Sequence, residues 1–226
     1  MGDMQDIAIF DMDRTITIRG TYTPFLLFAA ARRQRWRLLL TPVLLFALAG
    51  AGLGLLTRNG YKNIGFRLMI GSTIEASALS SLAESFAANT IDSNVHAASH
   101  RQIALEKQDG RVVVMATAAP EYYATEIGRR LGMDVIIATR QSRNAQGDYL
   151  AAIDGANCYG EEKLGRIKGW MDAMHYERAA SNIRFYSDHI SDAPILAWAD
   201  TAVAVRPDRK LRALAEKRGW QIVDHS

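Results

Sequence analysis

One cysteine in 226 residues, Cys158, has no partner within the chain, so a disulfide-stapled scaffold is excluded and a reducing compartment is expected. Its thiol is expected to serve as a small buried hydrophobe. No internal repeat or low-complexity tract is present, which excludes solenoid architectures. Nor does a basic-then-apolar leader open the chain. Asp3 and Asp6 are acidic and the first apolar run starts at Ile7, so the expected location is cytoplasmic. Net charge is small, +3, but arginines crowd at Arg32, Arg33, Arg35 and Arg37, so the local field matters more than the total. With 49% hydrophobic residues, the chain can bury a sizeable core.

What is present alternates. Short apolar runs at Ile7 to Phe10, Val112 to Met115, Val135 to Ala138, Ile183 to Tyr186 and Ala202 to Val205 have the form of parallel strands buried on both faces. Helical stretches lie between them, at Tyr122 to Leu131, Glu161 to Met174, Ala193 to Ala199 and Arg209 to Arg218, the last stopped by Gly219. The expected class is therefore α/β, a doubly wound, mostly parallel sheet. From about Thr17 to Asn94 no strand is evident, which predicts an all-helical cap inserted after the first strand. The expected division is a core of residues 1–16 and 95–226 with a cap of residues 17–94. Thr139 to Asn157, with Asn144, Gly147 and Asp148 at its middle, reads as a hairpin on the rim.

Ligands in such sheets sit beyond the carboxyl ends of the strands, where Asp11, Thr117 and Asp188 follow their apolar runs. Asp11 and Asp13 emerge close together, and Asp188 and Asp192 join them from another strand end. Carboxylates this close resist joint ionisation unless a cation intervenes, and a hard, oxygen-seeking ion such as Mg²⁺ suits them. Lys163, at the start of a helix, can hold phosphoryl oxygens and the Asp11 carboxylate together. Thr117, just before Pro120 and Glu121, offers a hydroxyl and neighbouring amides as a phosphate cradle. Each feature alone has a plainer reading, as a turn, a helix cap or a surface charge; their combination points to phosphomonoester hydrolysis through a phosphorylated aspartate.

In this order, Asp-Met-Asp-Arg-Thr, the Thr117 strand end, Lys163, and Asp188 with Asp192, the chain resembles the haloacid dehalogenase superfamily, in the phosphoserine phosphatase-like branch (subfamily IB). The resemblance spans Ile7 to about Val223. It implies that Asp11 attacks phosphorus and that Asp13 protonates the leaving group and then deprotonates water. It also implies that Asp11, the main-chain carbonyl of Asp13, and Asp188 ligate Mg²⁺, that Asp192 supports the metal, and that Thr117 and Lys163 bind phosphate. Arg14 and His189 depart from the commonest pattern, which usually has a glycine and a small polar residue there. A phosphorylatable receiver domain also uses an aspartate, a threonine, a lysine and Mg²⁺, but Asp13 and the cap supply acid–base help and enclosure that a slow switch does not require.

Leu38 to Thr57 is uncharged and long enough to cross a bilayer, yet one crossing would put Asp11 and Asp188 on opposite sides. Pro42 and the glycines at 50, 52 and 54 instead predict two shorter helical pieces. Three placements remain open: inside the cap, against a second copy of the chain, or laid on the inner membrane face with Trp36 at the interface and the arginines on anionic headgroups. Nucleic acid is not expected beside so long an apolar run. The pattern of the cap is similar to that of bacterial C-type phosphatidylglycerophosphate phosphatases, which implies a lipid phosphomonoester as substrate. The alternative is a soluble phosphatase of phosphoserine or another small metabolite, with Arg14, Arg19 or Arg67 gripping a carboxylate. His96 and His100 share an expected helix face but lack a third metal ligand; His175 and His225 carry no signal.

Overall fold

Alternate residues of the same strands enter two separate cores, as expected of a sheet covered on both faces. In the computed structural model, which describes residues 4–224, β1 (Gln5–Phe10) sends Ala8 and Phe10 to one core and Ile7 and Ile9 to the other. Asp3 and His225 lie outside the described residues. The sheet also contains β3 (Val112–Pro120), β4 (Val135–Thr139), β7 (Ser181–Ser187), β8 (Thr201–Val205) and β9 (Gln221–Val223). Its order is β4-β3-β1-β7-β8-β9, with every pairing parallel. The chain moves one way from β1 to β3 and β4, and the other way to β7, β8 and β9. The strand ends beside β1 therefore form the crevice where such sheets bind ligands. The α/β expectation holds, and β9, too short to carry a periodic signal, extends the sheet beyond the strands expected from the sequence.

Helices α6 (Glu121–Arg130), α7 (Glu161–Ala173), α8 (Ala193–Trp198) and α9 (Arg209–Arg218) follow the strands. The side chain of Asp208 caps α9 by accepting from the Leu211 amide at 2.7 Å, and Gly219 ends it in the left-handed region at φ 68°. The rim hairpin is present as β5 (Gln141–Arg143) paired antiparallel with β6 (Tyr149–Ile153).

Between β1 and α5 (Ala97–Gln108) lie α1 (Tyr22–Arg33), α2 (Thr41–Gly52), α3 (Arg58–Met69) and α4 (Ala76–Asn94), with a 3₁₀ segment, Arg35–Leu40, before α2. The insert is not all-helical: β2 (Thr73–Ile74) pairs antiparallel with β6, joining the insert to the rim hairpin. Two residues are too few to show a period of two. The outgoing and returning chains run side by side, Thr17 bridging Val95 while the Ile18 amide donates to the Asn94 carbonyl at 2.8 Å. An aromatic cluster fastens the insert to the core. Phe25 of α1 stacks on Tyr123 of α6 with centroids 4.8 Å apart and meets Phe86 of α4 edge-on at 5.2 Å.

Leu38 to Thr57 does form two pieces, the 3₁₀ turn and α2, with Pro42 in the first turn of α2 and Gly54 turning the chain at φ 76°. Of the three placements left open by the sequence, the interior of the cap is not the one adopted. Leu44 is the one fully buried side chain of α2. Arg37 does not face outward either: its guanidinium donates to the carbonyls of Leu68, at 2.7 Å, and Arg67, at 3.1 Å, closing the end of α3. His96 is the residue preceding α5, with extended backbone, so it and His100 do not share a helix face.

Gly65 lets α3 approach α1 and α2. A β-carbon there would meet Leu26 Cδ1 at 2.7 Å and Leu44 Cδ1 at 3.2 Å. Gly65→Val is expected to cost about 1–3 kcal/mol by overpacking, read as a lowered urea midpoint with unchanged slope.

Candidate active site

Asp11 and Asp13 leave β1 at its carboxyl end, and β3 and β7 deliver Thr117 and Asp188 to the same edge. All four line one cleft of about 360 Å³, together with Lys163 and Asp192. The buried Lys163 ammonium is the centre of charge, lying 2.8 Å from Asp11 Oδ1 and 2.8 Å from Asp192 Oδ2. Gly160, at φ 58°, turns the chain into α7, so Lys163 falls in the first helical turn and points back at the sheet. Ser187 donates to the same Asp192 oxygen at 2.8 Å. Thr15 stands between Asp11 and Asp188, its Oγ1 3.4 Å from Asp11 Oδ2 and 3.2 Å from Asp188 Oδ1.

Burial dominates the electrostatics. Desolvation pushes Asp11 up to about 7, against the pull of Lys163, and repulsion from Asp192 and Asp188 adds to the rise. Burial likewise pushes Asp188 up to about 6, opposed by the Thr15 hydroxyl. For Lys163, burial disfavours the charge, but Asp11 and Asp192 outweigh it and hold the ammonium protonated far above the neutral range. Asp13 is raised by desolvation, opposed by the Thr21 hydroxyl and amide, which donate to its Oδ1 at 2.8 and 2.9 Å. Oδ2 is left as the oxygen able to carry a proton.

Among the described residues no three acidic, histidine or cysteine side chains converge as a metal cluster. The donor set nevertheless fits Mg²⁺, since Asp11 and Asp188 need only a main-chain carbonyl, such as that of Asp13, and water to complete hard oxygen coordination. An observation independent of those ligands agrees: Asp192 Oδ1 is buried without a hydrogen-bond partner, as expected of an oxygen that accepts from a metal-bound water.

All six residues singled out in the sequence are thus brought together, and several others join them. Thr117 spends an Oγ1 lone pair on the Ala119 amide, at 3.0 Å, which leaves its proton free to donate. Arg58 of α3 reaches across to the core, donating to Tyr159 Oη at 2.8 Å. Lys62, one turn on, donates to the Ala118 carbonyl and to Asn157 Oδ1; burial lowers it to about 8, opposed by Asp13. Neither Arg58 nor Lys62 carries a local motif, because each acts from a helix far away in sequence. Of the three arginines weighed as carboxylate ligands, Arg14 lines the cleft, while Arg19 lines a separate depression beside Phe28 and Phe86 and Arg67 is exposed. Arg14 occupies the left-handed region at φ 65°, which explains why glycine is the easier residue there. His189 also faces the cleft, its Nε2 3.5 Å from Asp208. Cys158 is buried, its thiol pushed up to about 11 by desolvation.

A sequence model described as haloacid dehalogenase-like hydrolase matches residues 8–197. Phosphoserine phosphatase SerB1 of Mycobacterium tuberculosis is 32% identical over 117 residues, which make up 51% of this chain and 36% of that protein. The match thus spans little more than a third of that relative's length. A Bordetella pertussis Tohama I protein of unknown function has a TM-score of 0.88 at 23% identity, covering 98% of this chain and 99% of that one. A substrate-bound phosphoserine phosphatase has a TM-score of 0.64 at 13% identity, covering 99% and 95%. At these identities the structural likeness is one of fold. Because the sequence match runs from Ala8 in the first strand to Ala197, past the last of the clustered carboxylates, the chain belongs to the haloacid dehalogenase-like hydrolase family.

Proposed function

We propose that the protein hydrolyses phosphomonoesters through an aspartyl-phosphate on Asp11. The observation that carries this reading is the buried Lys163 ammonium shared by Asp11 and Asp192 at the edge where Asp188 and Thr117 converge. An anionic nucleophile meets an anionic phosphate only where positive charge is fixed in advance. Lys163 supplies that charge, and the Thr117 hydroxyl donates to a phosphoryl oxygen. Asp11 forms the bond to phosphorus as the ester bond breaks, and Asp13 Oδ2 delivers its proton to the departing alkoxide. Asp13 then takes a proton from the water that cleaves the acyl phosphate, releasing inorganic phosphate and restoring Asp11. Mg²⁺, held by Asp11, Asp188 and the Asp13 carbonyl, supplies charge neutralisation of the phosphoryl group when bound.

Within that class the favoured substrate is a lipid phosphate such as phosphatidylglycerophosphate. Support comes from a second cleft of about 300 Å³ that shares Asp13, Arg58 and Ala118 with the first and has Leu48, Ala51 and Tyr61 in its wall. A leaving group beyond Asp13 therefore meets apolar side chains. A soluble metabolite such as phosphoserine is the second reading, favoured by the name of the mycobacterial relative and by Arg58 and Lys62 near Asp13, either of which can pair with a carboxylate.

Turnover of phosphatidylglycerophosphate in mixed micelles, phosphoserine and a generic aryl phosphate with Mg²⁺ tests both levels. Many turnovers of any of them support the class, and a strong preference for phosphoserine overturns the lipid reading. Asp11→Asn is expected to abolish the phosphoenzyme detected by intact-mass spectrometry. Asp13→Asn is expected to keep metal binding, to slow turnover about a hundred- to ten-thousandfold and to accumulate phosphoenzyme; full activity overturns its role.

The raised carboxylates also set a pH dependence. Between the ordinary value of 3.8 and values of about 7 for Asp11 and about 6 for Asp188, the folded metal-free chain holds protons that the unfolded chain has released. Its stability should therefore fall as pH rises through that window, while Lys163 stays charged throughout. The urea midpoint of metal-free protein is expected to be lower at about pH 8 than at about pH 5.5, with saturating Mg²⁺ restoring it at the higher pH.

A further inference from the structure

From Arg14 to Ile74 the chain carries nine basic residues and no acidic one. Arg37, Arg58 and Lys62 donate hydrogen bonds to other parts of the chain, and Arg32, Arg33, Arg35 and Arg67 are exposed. Beside them the 3₁₀ segment, α2 and the turn that follows it expose large apolar side chains to solvent. Leu39, Val43, Leu45, Phe46, Leu53 and Leu55 are all exposed, Phe46 at 79% and Leu55 at 82%. Trp36 stands at the arginine end of this surface, 57% exposed. A helix apolar on every side is ordinarily buried, and only 6% of Arg35–Gly52 is. So large an exposed patch marks an interaction surface.

Its occupant follows from charge and length. A second copy would meet this patch through a twofold axis, with the same surface on both sides, and would offer no acidic residue from the segment to pair the exposed arginines. A phosphate backbone would satisfy the arginines but not the leucines and Phe46. An anionic bilayer satisfies both: headgroups pair the arginines and acyl chains cover the apolar face. By length and apolar composition Arg35–Gly52 is sufficient to cross a bilayer, but it is not free to insert. Leu44 and the Arg37 bonds to α3 hold the segment against the globular body, so it lies on the membrane without crossing it.

We propose that the 3₁₀ segment and α2, flanked by Arg32, Arg33, Arg35 and Arg67, seat this protein on an anionic lipid bilayer surface. The consequence for catalysis rests on the phosphatase reading above. Leu48 and Ala51 of the same helix wall the cleft beside Asp13, so the seated helix brings that edge of the site to the lipid layer and gives a membrane-borne phosphomonoester direct access.

Co-sedimentation with vesicles of phosphatidylcholine alone, or mixed with phosphatidylserine, tests the docking surface on the full chain. Phosphatidylserine contains no phosphomonoester, so retention is not substrate capture. Retention is expected on the mixed vesicles and not on phosphatidylcholine. Arg33→Gln with Arg35→Gln should weaken it about thirtyfold, roughly fivefold for each charge, and Leu39→Ser with Phe46→Ser should abolish it. All four substitutions are at exposed sites outside the clefts, so turnover of a soluble aryl phosphate should be unchanged. Absence of retention, or retention insensitive to these variants, overturns the proposal. So does a wild-type dimer in sedimentation equilibrium that Phe46→Ser dissociates. Absent aryl phosphate turnover in wild type, with retention intact, defeats the phosphatase reading and leaves the docking surface standing.

Discussion

The ion triad of Lys163 with Asp11 and Asp192 is the interaction on which the rest of the site depends. Three ionisable groups are taken out of water at once, and the cost is offset only because each charge has an opposite one at 2.8 Å. Removing the lysine would leave two buried carboxylates facing one another, a loss of about 3–5 kcal/mol. The sheet makes the triad feasible. Asp11 is fixed by β1, Asp192 lies just beyond β7, and Lys163 sits in the first turn of α7, so three elements already held by the two cores fix the charges without further ordering.

The same economy governs Asp13. Thr21, the residue before α1, donates to its Oδ1 from both amide and hydroxyl, and Thr21 Oγ1 also meets Tyr123 Oη at 3.1 Å. The entrance to the cap and the Asp13 carboxylate are thus one hydrogen-bonded unit, continuous with the aromatic cluster around Phe25. From the other side of the cleft, Arg58 and Lys62 of α3 reach Tyr159, Ala118 and Asn157 of the core. The cap is therefore part of the site wall.

The outer face of the cap follows a different logic. Arg37, one of four clustered arginines, turns inward because the last carbonyls of α3 need donors that the helix cannot supply. Its neighbours Arg32, Arg33 and Arg35 are exposed. Apolar residues of α2 likewise divide by position: Leu44 packs beside Leu26 of α1 and Gly65 of α3, whereas Leu45 and Phe46 are exposed.

The parallel sheet, and Asp11, Thr117 and Asp188 at its edge, are legible in the chain alone. Both are local signals: a short apolar run buried on two faces, and the residue that follows it. For the same reason Gly219 marks the end of α9 without any tertiary information. Tertiary structure decided what depends on approach between distant segments. It placed Thr15 between two carboxylates, brought Arg58 and Lys62 to the cleft, paired the two-residue β2 with β6, and left α2 exposed although its composition suits a core. None of these is encoded by spacing along the chain, because each is the outcome of which surfaces meet once two hydrophobic cores have closed.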